Sequence, residues 1–333
     1  MIRILLLVLL ATQATAATLE VGPERKLNSP AAALALAGDG DTILIDEGEY
    51  YECLRIGGDH LTIQGRGAGA VFTDTTCDGK AIIIAQGERI TLRNLTLQRA
   101  RVKDGNGAGI RAEGGALDID KVRFLNNQAG LVIGHNPAAI VTVRDSQFTD
   151  TGRCDAGKCA PAITAGVISR LRLEHTRLSG TAGAHQVVSA AASTEIISSL
   201  IEDGPRGSAS FQLIISAGGS LLLEDSVIQK GPRATNLRAA ILLDGTMGGP
   251  ITLRRNHYLN DTGADVPFVL DWSDTSPTTQ DNVLPPGATE VSSSGILTHR
   301  ATNIAREAKD TARGVAGAAR RTATDIYRRL RGG

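Results

Sequence analysis

The sequence predicts an all-β protein built as a solenoid of parallel β-strands, and three observations support this fold class. Seven segments between residues 90 and 261 share one pattern of strand, small bend, strand and polar turn. Within each segment apolar and polar residues alternate, so each strand buries one face. Aromatic residues make up only 3% of a chain that holds 38 glycines. This composition suits stacked thin layers better than one large globular core.

The repeated segments follow one another at intervals of 23–30 residues, measured between equivalent apolar residues of the second strand. The segments are ITLRNLTLQRA (90–100), ALDIDKVRFLNN (116–127), IVTVRDSQFTD (140–150), RLRLEHTRLSG (170–180), TEIISSLIEDG (194–204), LLLEDSVIQKG (221–231) and ITLRRNHYLND (251–261). Their equivalent apolar residues are Leu97, Phe124, Phe148, Leu178, Ile201, Ile228 and Tyr258. A unit this thin cannot bury its apolar face alone, so copies must stack, which makes a parallel β-helix.

A second set of short strands precedes these segments and predicts a second inward column. Its inward residues are Ile110, Leu131, Ile163, Val187, Leu213 and Ile241. The outward residues beside them are Arg111, Val132, Thr164, Val188, Ile214 and Leu242. The stretches DTILIDEGEY and LTIQGRGAG predict the first coils, and the alanine-rich run from Pro30 predicts a short helix that caps the open end. A leucine-rich repeat is disfavoured because its LxxLxLxxN signature does not occur.

The N-terminus predicts export. Residues 1–16 combine one cation, Arg3, with an apolar stretch and a final Ala-Thr-Ala, which is typical of a secretory signal peptide cleaved after Ala16 or Ala17. The alternative is a short membrane anchor that stays on the protein. No later stretch approaches the length of a membrane span, so we expect a periplasmic or secreted protein, with association to the cell envelope as a further option.

The C-terminus predicts a separate helix. After a β-helix domain over 17–285 and a Pro- and Ser-rich linker over 286–300, residues 301–333 divide into ATNIAREAKDT, ARGVAGAARRT and ATDIYRRLRGG. Eleven residues make three helical turns, so one narrow apolar stripe follows the helix. The stripe comprises Ile304, Ala308, Val315, Ala319, Ile326 and Leu330. Such a basic helix suits docking on the outward aliphatic row or contact with an anionic membrane surface; the alternative is a mobile tail.

Charge is divided between the tail and the body. The formal net charge is zero, but from Arg300 onward nine Lys and Arg face three Asp and Glu. The body, without Arg3, has 25 cations and 32 anions. This distribution argues against nucleic acid as a partner of the body and for a tail that acts separately.

Four cysteines in an exported chain predict two disulfides. Cys154 and Cys159 are close enough to close a small polar loop, and Cys53 and Cys77 would then pair across about one coil. The alternative is a metal site, but no CxxC or HxxxH spacing accompanies these cysteines, so we expect no bound metal.

At this point the chain resembles the right-handed parallel β-helix proteins of the pectate-lyase-like superfamily, over roughly residues 20–285. The resemblance depends on GDTILIDEGEYYE near the N-terminus and on the repeated strands NLTL, KVRF and SQFT. It implies an exported bacterial protein that acts on or binds polysaccharide.

A bacterial exported subgroup is similar to the middle coils through a motif Gly-His-x-x-Lys-Ser-Arg-Ala, a Gly-Gly, a Gln-Gly and an Asn. The matching positions are His185, Ser189, Gly218, Gly219, Gly231 and Asn236. This chain departs from the motif at Val188, where the subgroup has Lys, and at Ala190, where it has Arg. A Cys-x-Cys-His element is also replaced by Cys159-Ala160-Pro161. The departures put a catalytic role for the motif in doubt.

Catalysis on polysaccharide needs polar side chains at outward positions of adjacent coils. A lyase needs a Lys or Arg base with Ca²⁺ or cations against the developing negative charge, and a hydrolase needs paired carboxylates. The outward row from Val132 to Leu242 provides no acid, base or metal ligand. Candidate catalytic residues are therefore His185 and the loop charges Arg206, Lys230, Arg238 and Asp244. Candidate binding residues are Arg111, Arg233 and Asn236. Each can also be read as an ordinary solvated side chain.

The sequence thus favours an exported β-helix that binds or scaffolds extracellular or envelope polysaccharide, with catalysis reduced or lost. One alternative is an active polysaccharide lyase or glycoside hydrolase, and only a lyase would call for Ca²⁺. The other is an envelope-associated structural protein attached through its basic tail. No other cofactor is predicted, because no EF-hand, P-loop, GxSxG or GxGxxG motif occurs.

Overall fold

A computed structural model describes residues 16–67, 69–155, 157–216 and 219–293. The first elements are β1 (Thr18–Val21), α1 (Pro30–Leu34), β2 (Thr42–Ile45), β3 (Gly48–Tyr50), β4 (Leu54–Ile56), β5 (Leu61–Gly65), β6 (Ala70–Thr73), β7 (Ala81–Ala85), β8 (Arg89–Arg93), β9 (Leu95–Gln98), β10 (Ala108–Ala112), β11 (Ala116–Asp120), β12 (Arg123–Leu125) and β13 (Ala129–Ile133). The middle elements are β14 (Asn136–Arg144), β15 (Gln147–Thr149), β16 (Arg153–Asp155), β17 (Lys158–Ala160), β18 (Ile163–Ala165), β19 (Ile168–Glu174), β20 (Arg177–Ser179), β21 (Val187–Ser189), β22 (Ser193–Ile197) and β23 (Leu200–Glu202). The last are β24 (Leu213–Ser216), β25 (Ser220–Glu224), β26 (Val227–Lys230), β27 (Ile241–Gly245), β28 (Ile251–Arg254), β29 (His257–Asn260), β30 (Val269–Ser273), β31 (Thr278–Gln280) and β32 (Val291–Ser292).

The described strands form three parallel sheets that the chain visits in turn. The first sheet has the order β1-β2-β5-β8-β11-β14-β19-β22-β25-β28-β31. The second has the order β3-β6-β9-β12-β15-β20-β23-β26-β29, and the third β4-β7-β10-β13-β18-β21-β24-β27-β30-β32. Each passage through the three sheets is one coil, and β2 to β30 make nine such coils. The predicted right-handed parallel β-helix is confirmed.

Both predicted inward columns are confirmed by strand register. Phe124 lies between Leu97 and Phe148 in the second sheet, and the column continues to Tyr258. In the third sheet Val187 lies between Ile163 and Leu213. Both columns belong to one buried cluster that runs through the coils. The columns form because alternation puts every second side chain inside, where burying apolar surface stabilises the stack.

The corner between the first and second sheets has a repeated backbone conformation. The residue directly after each first-sheet strand from β8 to β31 has a φ of 48–55°, in the left-handed region. These residues are Asn94, Lys121, Asp145, His175, Ser198, Asp225, Arg255 and Asp281. The next residue along the chain often hydrogen-bonds to the neighbouring coil: the Ser199 N–H donates to Ser226 Oγ at 3.1 Å, and the Ser226 N–H donates to Asn256 Oδ1 at 3.0 Å. Side chains thus satisfy backbone groups that the bend leaves without a strand partner.

The two ends of the solenoid carry short strands outside the repeated pattern. β1 precedes α1 and pairs with β2, an element that the sequence did not predict. The five-residue helix α1 has Ser29 as its N-cap and contacts β1, β2 and β4; its role as a cap stays a prediction. At the other end β32 pairs with β30 inside the stretch predicted as a linker.

Both predicted disulfides are confirmed. Cys53 bonds to Cys77, which joins the segments before β4 and β7 in adjacent coils. Cys154 bonds to Cys159 across the two-stranded hairpin β16–β17. Two disulfides fit an oxidising compartment and hence an exported protein.

Within the described ranges no helix is long and apolar enough to cross a membrane. The predicted signal peptide and the predicted C-terminal helix lie outside the described residues, except for Ala16.

Candidate functional site

His185 lies at the corner between the second and third sheets, two residues before β21. Phe211 stands at the same position before β24, and because these strands pair in parallel the two rings meet, with centroids 5.8 Å apart. The imidazole is half-buried, and its Nδ1 atom has no hydrogen-bond partner within the described part of the chain. We call His185, Phe211 and the residues that contact them the His185 corner.

Lys230 was expected among loop charges, but the structure corrects this placement. It is the last residue of β26 and is 0% exposed, because alternation along that strand turns its side chain inward. Its Nζ donates to the Ser210 carbonyl at 2.6 Å and to Gln212 Oε1 at 3.4 Å, and it lies 5.8 Å from the Phe211 ring centroid. Asn236 Nδ2 donates to the same Ser210 carbonyl at 2.9 Å. Three predicted site residues, His185, Lys230 and Asn236, therefore meet at one corner.

Asp203 completes this corner, and sequence reasoning missed it. Glu202 is in register with Gln229, so Asp203 lies opposite Lys230 in the adjacent coil. Its carboxylate accepts the Ala209 N–H at 3.0 Å and the Gly231 N–H at 2.9 Å. The signal was the repeat itself, because Asp203 follows the inward residue Ile201 by two positions and so faces inward.

Burial changes the acid–base properties of the corner. Desolvation lowers the pKa of Lys230 to about 8, although the nearby Asp203 carboxylate acts in the opposite direction. Desolvation, followed by repulsion from Lys230, lowers the pKa of His185 below its ordinary value. Desolvation raises the pKa of Asp203 against the effect of its two backbone donors. His185 is therefore a neutral imidazole at pH 7 and could accept a proton.

Two glutamines beside the corner are also buried. Gln186 and Gln212 are both 0% exposed. Gln186 Nε2 donates to the Glu202 carbonyl at 2.6 Å. Gln186 Oε1 and Gln212 Nε2 have no partner within the described residues. Perturbed pKa values and unsatisfied polar atoms in one place are features of functional sites, although buried structural networks show them as well.

The other predicted site residues lie apart from the His185 corner or around its rim. Arg206 is exposed, with its Nη2 3.6 Å from Asp150 Oδ2. The Arg238 guanidinium stacks 4.3 Å above the Trp272 ring centroid. Arg233 is exposed in the loop before β27, and Asp244 lies on β27 in register with Trp272. Arg111 lies three strands away on β10 and pairs with Glu113 at 2.6 Å.

Apart from His185 and Asn236, the described motif positions of the resemblance are buried: Ser189, Gly219 and Gly231. Ser189 is fully buried, and its hydroxyl lies 2.8 Å from the Thr194 hydroxyl. Gly219 begins the approach to β25, Gly231 donates to Asp203, and Gly218 lies outside the described residues. The outward row of the third sheet is confirmed in register from Arg111 to Leu242.

A polar groove lies on the outer side of the second sheet. One depression of about 350 Å³ is lined by Gly67, Asn94, Leu95, Lys121, Arg123, Asp145 and Gln147. A second, of about 130 Å³, is lined by Thr149, Asp150, Arg177, Ser179, Gly180, Glu202, Asp203, Gly204, Pro205 and Arg206. They adjoin, since Gln147 of the first is in register with Arg177 of the second. Together they are the second-sheet groove.

The charges of the second-sheet groove are largely balanced within it. Arg177 pairs with Glu202, with its Nε 3.1 Å from Glu202 Oε1. Arg206 pairs with Asp150, while Arg123 Nε donates to Thr96 Oγ1 at 3.0 Å. The groove spans the five strands β9, β12, β15, β20 and β23, a length of about 19 Å at the usual strand spacing. It offers hydrogen-bonding groups along a line with little net charge.

Metal ligands are not gathered in the described part of the chain. No group of three or more His, Cys, Asp or Glu side chains is arranged there to hold a metal ion. Asp118 and Asp120 share the outward face of β11, and Asp118 lies 3.8 Å from Arg144. The prediction that Ca²⁺ accompanies a lyase activity stays a prediction.

Comparison with known proteins gives a likeness of fold. No protein-family model and no curated protein sequence matches the chain. Among solved structures it is similar to a pectin methylesterase from Aspergillus niger, at 12% identity and a TM-score of 0.47 over 85% of this chain and 91% of that one. It is also similar to the pectate lyase Pel9A, at 12% identity and a TM-score of 0.48 over 85% and 80%.

A third solved structure is the A-module of a mannuronan C-5 epimerase from Azotobacter vinelandii, at 13% identity and a TM-score of 0.39 over 78% and 90%. At such identities a shared fold does not carry a shared activity.

Proposed function

We propose that this protein is an exported β-helix that binds an extended polysaccharide along the second-sheet groove. The observation that carries the proposal is the continuity of the groove across five coils, with a polar side chain contributed at each step. An extended glycan presents hydroxyl groups at regular intervals, and a solenoid presents equivalent side chains at intervals of about 4.8 Å. The oxidising compartment indicated by the disulfides is where envelope or extracellular polysaccharide occurs.

The balanced charges favour a glycan of low charge density. Lys121, Arg123, Arg177 and Arg206 are offset by Asp145, Asp150 and Glu202 in the same groove. Specificity would come from hydrogen bonds of charged side chains with neutral hydroxyls, which are stronger than bonds between neutral groups. Because little net charge is involved, binding should depend only weakly on salt.

The test is a glycan array of neutral and uronate-containing polysaccharides, followed by titration of the best ligand. Arg177→Ala, in the middle of the groove, should weaken binding roughly tenfold or more, because a charge-assisted hydrogen bond contributes about 1.5–3 kcal/mol. Arg170→Ala is the matched control, since Arg170 is an exposed arginine on β19 of the first sheet. Equal affinity of wild type and Arg177→Ala, or equal losses in both variants, would contradict the proposed face.

An active glycoside hydrolase is the second candidate, and one observation favours it. Asp150 and Glu202 are two carboxylates that line the same depression, each beside an arginine. Hydrolysis of a glycosidic bond commonly uses such a pair, one as acid and the other as base or nucleophile. A hydrolase would release shorter sugars from the array ligand, and Glu202→Gln would stop that release while binding persists.

A further inference from the structure

The outward face of the third sheet forms a shallow apolar trough. Its central column, in register across six strands, comprises Val132, Thr164, Val188, Ile214, Leu242 and Leu270. Two positions further along the first four of these strands lie only small residues, Gly134, Gly166, Ala190 and Ser216. We call this surface the third-sheet trough. Small side chains beside an aliphatic ridge leave room for a helix to approach the sheet closely.

The two ends of the third-sheet trough differ in burial. Leu242 and Leu270 are buried in a cluster with Phe211, Ala239 and Trp272 outside the coil. The four residues from Val132 to Ile214 are only half-buried, although three of them are aliphatic. A partly exposed apolar row of this length marks a surface suited to a partner.

The described chain ends at this same face. β32 pairs with β30, with Ser292 in register with Leu270, so the described residues end with Ser293 beside the Leu270 end of the third-sheet trough. Forty further residues, 294–333, follow in the sequence. Their apolar stripe, predicted from the 11-residue repeat, needs an apolar surface if it is to be buried.

The segment is long enough for the half-buried part of the trough, and its charge suits the acids near the Leu270 end. From Ile214 to Val132 the column crosses three strand spacings, about 14 Å. A helix from Ile304 to Ala319, the first two repeats of the stripe, would be about 22 Å long and would span this distance. The segment from Arg300 is basic, with nine cations and three anions. Of the acids near Leu270, Asp244 lies on β27 in register with Trp272, and Asp274 is exposed just after β30.

We infer that residues 301–319 dock as a helix on the third-sheet trough of their own chain, running from Leu270 toward Val132. The docked segment covers the half-buried residues Val132, Val188 and Ile214 and places its cations toward Asp244 and Asp274. The second-sheet groove lies on a different face and stays open. The inference is thus independent of the proposed polysaccharide binding.

Limited proteolysis tests this inference, because trypsin cuts after Arg306, Lys309 and Arg313 only where the segment is accessible. In Ile214→Lys a cation replaces the isoleucine in the middle of the column. We expect trypsin to cut this variant after Arg306, Lys309 and Arg313 at least tenfold faster than it cuts wild type. Leu222→Lys is the matched control: Leu222 is a half-buried outward leucine on β25 of the first sheet, and its substitution should leave cleavage unchanged.

A substitution in the segment itself guards against misfolding of the solenoid. Val315→Asp leaves every described residue intact and should accelerate cleavage to the same degree as Ile214→Lys. Equal cleavage of wild type, Ile214→Lys and Val315→Asp would overturn the inference. Protection that rises with protein concentration would overturn it in favour of docking on a second copy. Protection that requires phosphatidylglycerol vesicles would overturn it in favour of a membrane surface.

Discussion

Lys230 and Asp203 place a cation and an acid inside a solenoid whose columns are mainly aliphatic. Burial of a charge is costly unless hydrogen bonds compensate, and here they come from Ser210 and Gln212 for the lysine and from Ala209 and Gly231 for the aspartate. The part of the desolvation cost that these bonds do not offset lowers the pKa of Lys230 to about 8. The repeat carried a signal for this burial, since Lys230 follows the inward residue Ile228 by two positions. A lysine next to Gly231 and Pro232 is nevertheless typical of a solvated turn, and Lys230 was expected in one.

Stability should therefore depend on pH through Lys230. Its pKa is about 8 in the folded protein and about 10.4 in an unfolded chain. Between these values the unfolded state binds more protons, so the free energy of unfolding should rise as the pH increases from 8 to 10, by up to about 3 kcal/mol. Lys230→Met should abolish this rise. Urea unfolding of wild type and of Lys230→Met at pH 7, 9 and 10 measures the effect. If the free energies of unfolding of the two proteins differ by the same amount at every pH, the prediction is contradicted.

At the scale of single elements, each coil is fitted to its neighbours through close contacts at the corners. The Phe124 and Phe148 rings stack with centroids 4.2 Å apart and planes 5° from parallel. They fit because Gly109 and Gly130 are the second residues of the facing third-sheet strands β10 and β13. An added Cβ at Gly130 would lie 2.5 Å from Phe148 Cδ1. Glycine here is required by the approach of the rings.

Gly130→Ala should consequently destabilise the protein by about 1–3 kcal/mol, because the added methyl must displace a stacked ring in a packed interior. Gly134→Ala is the control four residues later, where an added Cβ meets only the Ala112 carbonyl oxygen at 3.4 Å. Thermal unfolding of the two variants compares them directly. If Gly134→Ala lost as much stability as Gly130→Ala, the ring contact would not be the cause, because replacing a glycine by alanine without a steric clash should be neutral or stabilising.

Elements with strict alternation were predictable, and those defined by neighbouring coils were not. The columns through Phe124 and Val187 follow from a period of two in the sequence. β1 and β32 are short strands outside the repeated pattern, so only their pairing with β2 and β30 reveals them. The second-sheet groove likewise depends on which outward side chains become neighbours, and this requires the register between coils that differ in loop length.

On the scale of the whole molecule, the two disulfides constrain chain segments of different length. Cys53–Cys77 closes 24 residues and joins adjacent coils near the N-terminal end. Cys154–Cys159 closes five residues within one hairpin. A longer closed loop removes more conformational entropy from the unfolded chain.

Replacing both Cys53 and Cys77 by serine should thus cost about 3–4 kcal/mol, and replacing Cys154 and Cys159 about 2 kcal/mol. The difference, about 1 kcal/mol, is measurable by denaturant unfolding at neutral pH with each double variant against wild type. Equal destabilisation, or a larger loss from the hairpin pair, would show that contacts at the bridges outweigh the entropy of the unfolded chain.

The uniform register between coils has a consequence for how such a protein can change during evolution. Each coil contacts mainly the one before and the one after it. Duplication of one coil in the gene would therefore add one side chain to every column and extend the second-sheet groove by about 4.8 Å. Ligands of increasing length could be accommodated in such increments, while the existing contacts with the ligand stay in place.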